Sequence, residues 1–72
     1  MIVVFQNRDG FVNIDAISEI TVDKGKILAH YSGNVTILGV YDSDIKAEQC
    51  VRDIVDSMRK GKTVHELPKQ YN

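Results

Sequence analysis

The sequence predicts an α+β domain, an antiparallel meander sheet of four or five strands with one C-terminal helix packed on one face. Residues 38–61 are interpreted as the end of a strand that runs into one long helix, in which apolar side chains recur at helical spacing from Ala47 to Met58 with polar ones between them. This pattern is typical of a surface helix lying on a core. Before them, segments rich in β-branched residues alternate with turn residues about every ten positions, as in a meander. One helix cannot bury its own apolar face, so the strands must supply the opposing layer.

The strand segments precede the helix. Residues 2–5 form a continuous apolar run, which we expect to be buried on both faces. Ser32, Gly33 and Asn34 form the clearest hairpin turn, and Gly39 suggests a bulge or a close backbone approach in the strand that follows. At positions 15 and 16 we expect a bulge or a single helical turn, and residues 62–67 can form a further extended segment. The expected strands before the helix are residues 2–5, 11–14, 18–22, 27–31 and 35–41.

The helix has signals at both ends. Ser43 is a suitable N-cap, Asp44 complements the positive end of the helix dipole, and Gly61 can adopt the left-handed conformation that ends a helix. The predicted buried stripe consists of Ala47, Cys50, Val51, Ile54, Val55 and Met58. Ile45 departs from this pattern because it falls among polar residues on the opposite side of the helix.

Size and composition limit the function classes. The chain has 72 residues and a net charge of −1. We therefore expect a single domain over residues 1–68 with a frayed tail at 69–72. Mixed charges provide no basic surface, which argues against nucleic-acid binding and against a polybasic membrane contact. The apolar N-terminal run is too short for a signal or transmembrane segment, and a lone Cys50 fits a reducing compartment. We expect a cytoplasmic protein.

The residues that could carry chemistry are scattered. His30 and His65 lie in separate segments without neighbouring ligands, whereas a zinc site needs three or four. Cys50 lies in the predicted apolar stripe, so we expect a buried, inert thiol rather than a reactive one. No serine, threonine or cysteine stands in a nucleophile motif, and the glycines form no phosphate-binding pattern. We expect no metal, no cofactor and no enzymatic activity.

A strand with Leu38-Gly39-Val40-Tyr41 runs through Ser43 into a helix with Ala47 and Cys50-Val51, and Glu66-Leu67-Pro68 follow near the end. These motifs resemble those of small uncharacterised proteins encoded by phages and prophages of Firmicutes. In those proteins a Leu-Gly-x-Tyr strand runs through Ser or Thr into a helix with Ala-x-x-Val-Leu, and the chain ends in Glu-Met-Pro or similar. The matching residues here are Leu38-Gly39-Val40-Tyr41, Ser43, Ala47, Cys50-Val51 and Glu66-Leu67-Pro68, together with Val12-Asn13-Ile14-Asp15 near the start. The resemblance implies a viral accessory protein that binds a host or phage macromolecule, for example as an inhibitor of host defence.

These observations favour a non-enzymatic protein-binding module. One helix covers only one sheet face, so we expect a homodimer or another partner to cover the rest. The candidate interface residues are Phe11, Tyr31, Tyr41 and Ile45. The alternative is a protein that binds or sequesters a small ligand or signalling nucleotide, with Tyr31, Tyr41 or His30 stacked on a base.

Overall fold

A computed structural model describes residues 1–70, and its helix agrees with the prediction. Helix α1 spans Asp44–Arg59, and the Ser43 side chain accepts a hydrogen bond from the Lys46 amide. At the other end Gly61 has φ +72°, and the amides of Gly61 and Lys62 donate to the carbonyls of Met58 and Ser57. This pair of bonds is the Schellman arrangement expected of a left-handed glycine after a helix.

Three consecutive strands form an antiparallel sheet in the order β3-β4-β5. They span Glu19–Asp23, Lys26–Tyr31 and Asn34–Val40. Both connecting turns have two residues with positive φ, Lys24-Gly25 and Ser32-Gly33, as tight hairpins require. The register shifts where Ile27 pairs with Gly39 and Leu28 with Ile37, so the bulge predicted near Gly39 is confirmed.

A second sheet corrects the predicted architecture. Its order is β2-β1-β6, with β1 at Ile2–Val4, β2 at Phe11–Asn13 and β6 at Val64–Glu66. A 3₁₀ turn at Ile14–Ala16 follows β2, as the interruption at positions 15 and 16 predicts. β6 pairs with β1 in parallel after the chain has crossed over through α1. The described chain is therefore α+β, but with six strands in two sheets instead of one meander of four or five.

The core lies between α1 and the two sheets. Its buried apolar residues are Val3, Ile27, Ala29, Leu38, Tyr41, Ala47, Cys50, Ile54 and Leu67. In β1 only Val3 is fully buried, whereas Ile2 and Val4 are half-buried, so the expectation of burial on both faces is wrong. The outer faces of both sheets are uncovered by any described element.

The helix is turned relative to the predicted stripe. Ala47, Cys50 and Ile54 are buried as predicted, but Val55 and Met58 are 40% and 48% exposed, and Ser57 is buried in their place. The cause is β6, which falls within the extended segment predicted at 62–67 but pairs with β1 beside α1, a position that the predicted meander did not include. His65 on this strand contacts Ser57, so the side of α1 that carries Ser57 faces protein rather than solvent.

The C-terminal segment is attached to the body of the domain. Leu67 is fully buried, and its amide donates to the Val4 carbonyl. Lys69, which begins the predicted frayed tail, accepts a hydrogen bond from Gln6 Nε2 through its carbonyl at 2.8 Å. This position is therefore held by a specific contact. The remainder of the predicted tail includes residues 71 and 72, which lie outside the described residues.

Candidate binding surfaces

The uncovered face of the β3-β4-β5 sheet carries aliphatic side chains. Alternation along the strands places Leu28 beside Ile37, and Lys26 beside Val40, on the side away from α1. Val35, Ile37 and Val40 on β5 are 54%, 48% and 51% exposed. We call Leu28, Val35, Ile37 and Val40 the aliphatic face. Exposed apolar groups in a contiguous set of this kind are typical of interaction sites.

The outer edge of β5 is open along half its length. Among residues 1–70, β4 is the only strand paired with β5. Near the C-terminal end of β5, the backbone amide of Gln6 donates to the Leu38 carbonyl. The Gln6 side chain donates to the Val40 carbonyl through Nε2 and accepts from the Val40 amide through Oε1. Towards the N-terminal end, Tyr31 and Asn34 close the hairpin, so Val35 and Ile37 fall at the alternate positions whose backbone groups point away from β4. These groups are available to another strand.

A groove runs beside this edge. It has a volume of about 500 Å³ and lies between β5 and the segment that follows β1, with Phe5, Gln6, Asn7 and Asp9 on its far side. Strand β5 contains neither a charged residue nor a proline. Natural edge strands usually carry such residues to prevent pairing with another chain. The open part of β5 lacks this protection.

The four candidate interface residues are not brought together. Phe11 is 66% exposed on the outer face of the β2-β1-β6 sheet, and Ile45 is 78% exposed on the first turn of α1. Tyr31 is half-buried at the end of β4. Tyr41 lies in the core, where its hydroxyl donates to the Pro68 carbonyl at 2.6 Å. The prediction that Tyr41 belongs to a contact surface is therefore wrong.

The residues considered for base stacking are also separated by their contacts. Burial of Tyr41 removes its ring face from any ligand. His30 lies on the outer face of its sheet, where its Nε2 atom is 2.8 Å from Thr21 Oγ1. Tyr41 and His30 therefore form no common pocket with Tyr31, and nothing in residues 1–70 favours a nucleotide site.

Cys50 is a core residue, as predicted. It is fully buried beside Tyr41, and burial raises the pKa of the Cys50 thiol. Desolvation likewise raises the pKa of the Tyr41 hydroxyl, with the neighbouring Cys50 adding to the shift. A thiol held in its neutral form is a poor nucleophile. The side chain therefore fills space between α1 and the strands.

Ser57 and His65 form a polar pair that sequence patterns did not reveal. The Ser57 hydroxyl lies 2.6 Å from His65 Nδ1, between the last turns of α1 and strand β6. Serine beside histidine is the minimal arrangement of a nucleophile and its base. Here, however, Ser57 is only 5% exposed, so a substrate cannot reach it. Asp53, the nearby acid, accepts a hydrogen bond from Gln49. The pair serves to hold β6 against the helix.

His65 is partnered through only one ring nitrogen. Nε2 is buried and has no hydrogen-bond partner among the described residues. Burial lowers the pKa of His65, and the positive charge of Lys62 adds to this, while the carboxylate of Asp53 opposes it. Protonation would place a charge beside apolar core residues, so the native structure favours neutral His65.

We expect stability to decrease as the pH falls from about 7 to about 5. The unfolded chain takes up a proton on His65 near its ordinary pKa of about 6.5, whereas the folded chain resists until lower pH. The stabilisation is therefore complete above this value and is lost below it. Asp56, whose pKa Lys60 holds below the ordinary value, titrates at more acidic pH. Urea midpoints measured across this range test the expectation.

Two glutamine variants assign this pH dependence. His65→Gln retains a polar side chain but cannot titrate, so it should remove most of the decrease. His30→Gln removes the other imidazole of the chain and should leave the decrease in place. If the stability of His65→Gln still decreases with falling pH as in the parent chain, the pH dependence does not arise from His65.

Comparison with protein-family models, curated proteins and solved structures gives no match for this chain. The resemblance to phage and prophage proteins therefore stays a prediction. Among residues 1–70, no helix is both long and apolar enough to cross a bilayer. The most distinctive candidate site is the aliphatic face with the open edge of β5.

Proposed function

We propose that this chain is a non-enzymatic protein-binding module that takes up an extended segment of a partner along β5. The observation that carries the proposal is the open, uncharged half of this edge strand beside exposed Val35 and Ile37. An added strand gains backbone hydrogen bonds from the edge, and its alternate side chains contact the sheet face. The preferred segment has aliphatic residues at alternate positions.

A second copy of β5 fits this edge poorly. In a symmetric antiparallel pairing centred on Thr36, Leu38 of one copy lies opposite Asn34 of the other. The Leu38 carbonyl already accepts the Gln6 amide, which lies 2.9 Å away on the outer side of the strand. A segment of a different protein can end before Gln6 or turn into the adjacent groove. The edge therefore disfavours self-pairing in this register, in which Val35 of one copy pairs with Ile37 of the other.

The resemblance to phage and prophage proteins suggests the kind of partner and activity that we propose. It implies a host or phage protein as the partner, with inhibition of a host-defence protein as one form of the activity. Both partners would then meet in the cytoplasm, where the free Cys50 is stable as a thiol.

The proposal is tested by affinity capture from a lysate of the host, with two matched variants. Ile37→Lys places a charge at the centre of the aliphatic face, and we expect it to weaken capture of the partner about tenfold or more. Ile45→Lys makes the same change at an exposed position on α1 and should retain the partner. A photo-cross-linker at position 37 should attach to the captured protein.

The results for the two lysine variants distinguish the β5 edge from the start of α1 as the binding site. If Ile37→Lys captures the same partner as the parent chain, the β5 edge is not the binding site. If Ile45→Lys alone loses it, binding belongs to the start of α1, where the sequence placed a candidate contact.

A further inference from the structure

The exposed side of α1 carries a second apolar surface. Val51, Val55 and Met58 lie at helical spacing along it, with Val51 half-buried and the other two substantially exposed. We call these three residues the helix ridge. A groove follows one side of the ridge and is lined by Ile14, Ile17 and Ile20 from the 3₁₀ turn and β3. Apolar surface therefore continues from the helix onto the neighbouring elements.

Opposite charges stand at the two ends of the helix ridge. Glu48 precedes it and Arg59 follows it, and helical spacing places both on the same side of the ridge. Both side chains are exposed. Among the described residues, neither has an oppositely charged partner at ion-pair distance. Along this flank the acidic Glu48 lies at the N-terminal end and the basic Arg59 at the C-terminal end, with the exposed Arg52 between them.

We propose that a second copy of this chain docks on the helix ridge, with the two α1 helices antiparallel. A two-fold axis crossing α1 near Asp53 and Ile54 places Val51 of one copy against Val55 of the other. The same axis brings Glu48 of each copy beside Arg59 of the other, which gives two equivalent ion pairs. On the other flank, the grooves of the two copies lie side by side along the paired ridges, which extends the apolar part of the contact.

The charge arrangement selects the antiparallel orientation. Parallel helices would place Glu48 beside Glu48 and Arg59 beside Arg59, so both ends would repel. Antiparallel helices pair the charges at both ends and also oppose the two helix dipoles. The self-complementary sequence of charges along one helix therefore points to a second copy rather than to an unrelated partner.

This contact uses a different surface from the β5 edge. The ridge lies on α1, beside β3, whereas β5 is at the opposite edge of the three-stranded sheet. A dimer formed through α1 leaves both copies of β5 open. The two proposals can therefore succeed or fail separately.

Charge reversal tests the dimer. Wild-type protein should sediment with a mass that approaches twice the 8.1 kDa of the chain as its concentration rises from about 10 µM to about 1 mM, the range in which contacts of modest size form and dissociate. Glu48→Lys and Arg59→Glu should each weaken association about tenfold or more, because each turns two attractions into two repulsions. The double variant carrying both changes restores opposite charges and should restore the dimer.

A third variant tests the apolar part of the contact. Val55→Lys should give a monomer, whereas Ile45→Lys, on another side of the same helix, should remain dimeric. Circular dichroism of each variant checks that the fold is retained, and the two charge variants alter exposed positions only. A wild-type monomer throughout the range, a dimer unaffected by Val55→Lys, or a double variant that stays monomeric would each overturn the proposal.

Discussion

Replacing Gly25 by alanine should remove a large share of the free energy of unfolding of this domain. Gly25 is buried in the β3–β4 turn with φ +79°, a conformation that costs an alanine about 1–2 kcal/mol. A Cβ built there also overlaps the carbonyl oxygen of Tyr41. This carbonyl cannot move freely, since the Tyr41 amide donates to the Gly25 carbonyl at 2.8 Å. The turn and the end of β5 would have to separate.

Replacement of Gly25 should also weaken the attachment of the first residue of α1. The Gly25 amide donates to Asp44 Oδ1 at 2.6 Å, and Asp44 is the first residue of α1. Displacement of the turn therefore removes a charge-assisted hydrogen bond as well. We expect a total destabilisation of about 3 kcal/mol or more, against about 4–10 kcal/mol for a domain of this size.

Gly33→Ala provides the matched control. Gly33 occupies the corresponding turn position with φ +78°, but a Cβ there has no atom within 4 Å. Gly33→Ala should therefore be destabilised only by the cost of placing an alanine at positive φ, about 1–2 kcal/mol. Urea denaturation of both variants measures the difference. Equal shifts in midpoint would show that the contact with Tyr41 adds nothing.

Features determined by near neighbours in the chain could be predicted from sequence. Ser43 and Gly61 bound the helix because capping depends on residues within one turn. The Ser32-Gly33 hairpin follows from the conformational freedom of glycine, and the bulge at Gly39 was indicated by a glycine inside a strand. Ala47, Cys50 and Ile54 were placed in the core by periodicity alone.

Features that depend on contacts between distant segments could not be predicted from sequence. β6 has three residues, so it carries no periodic pattern, and its pairing with β1 joins the two ends of the domain. That pairing places His65 beside Ser57, which in turn leaves Val55 and Met58 exposed. A similar long-range contact with Pro68 fixes Tyr41 inside. Errors in the predicted contact surface therefore derive largely from the C-terminal segment.

The candidate site illustrates the same division. Val35 and Ile37 alternate with Thr36 in the sequence, which indicates a strand with one apolar face. Whether that face is covered depends on where α1 packs and on which strands lie at the sheet edges. Gln6 closes half of the β5 edge through contacts with Leu38 and Val40, more than thirty positions away. Local patterns do not contain this information.

Ile54→Ala should destabilise the domain by about 2–5 kcal/mol. Ile54 is among the largest fully buried side chains and lies on the face of α1 that packs against the sheets. Alanine removes buried methyl groups and leaves a cavity that the surrounding strands fill only in part. Arg52→Ala, on the exposed side of the same helix, should change stability by less than about 1 kcal/mol.

Chemical denaturation of both helix variants distinguishes burial from helix propensity. Alanine favours a helix at either position, so propensity alone predicts no loss at Ile54. Measurement at two protein concentrations separates the intrinsic stability from any contribution of a dimer formed through α1, which would appear as a dependence on concentration. A midpoint for Ile54→Ala that equals that of Arg52→Ala would show that this face of α1 does not carry the core. Since Ser57 lies on the same side of α1 as Ile54, its contact with His65 of β6 would then also lose its structural role.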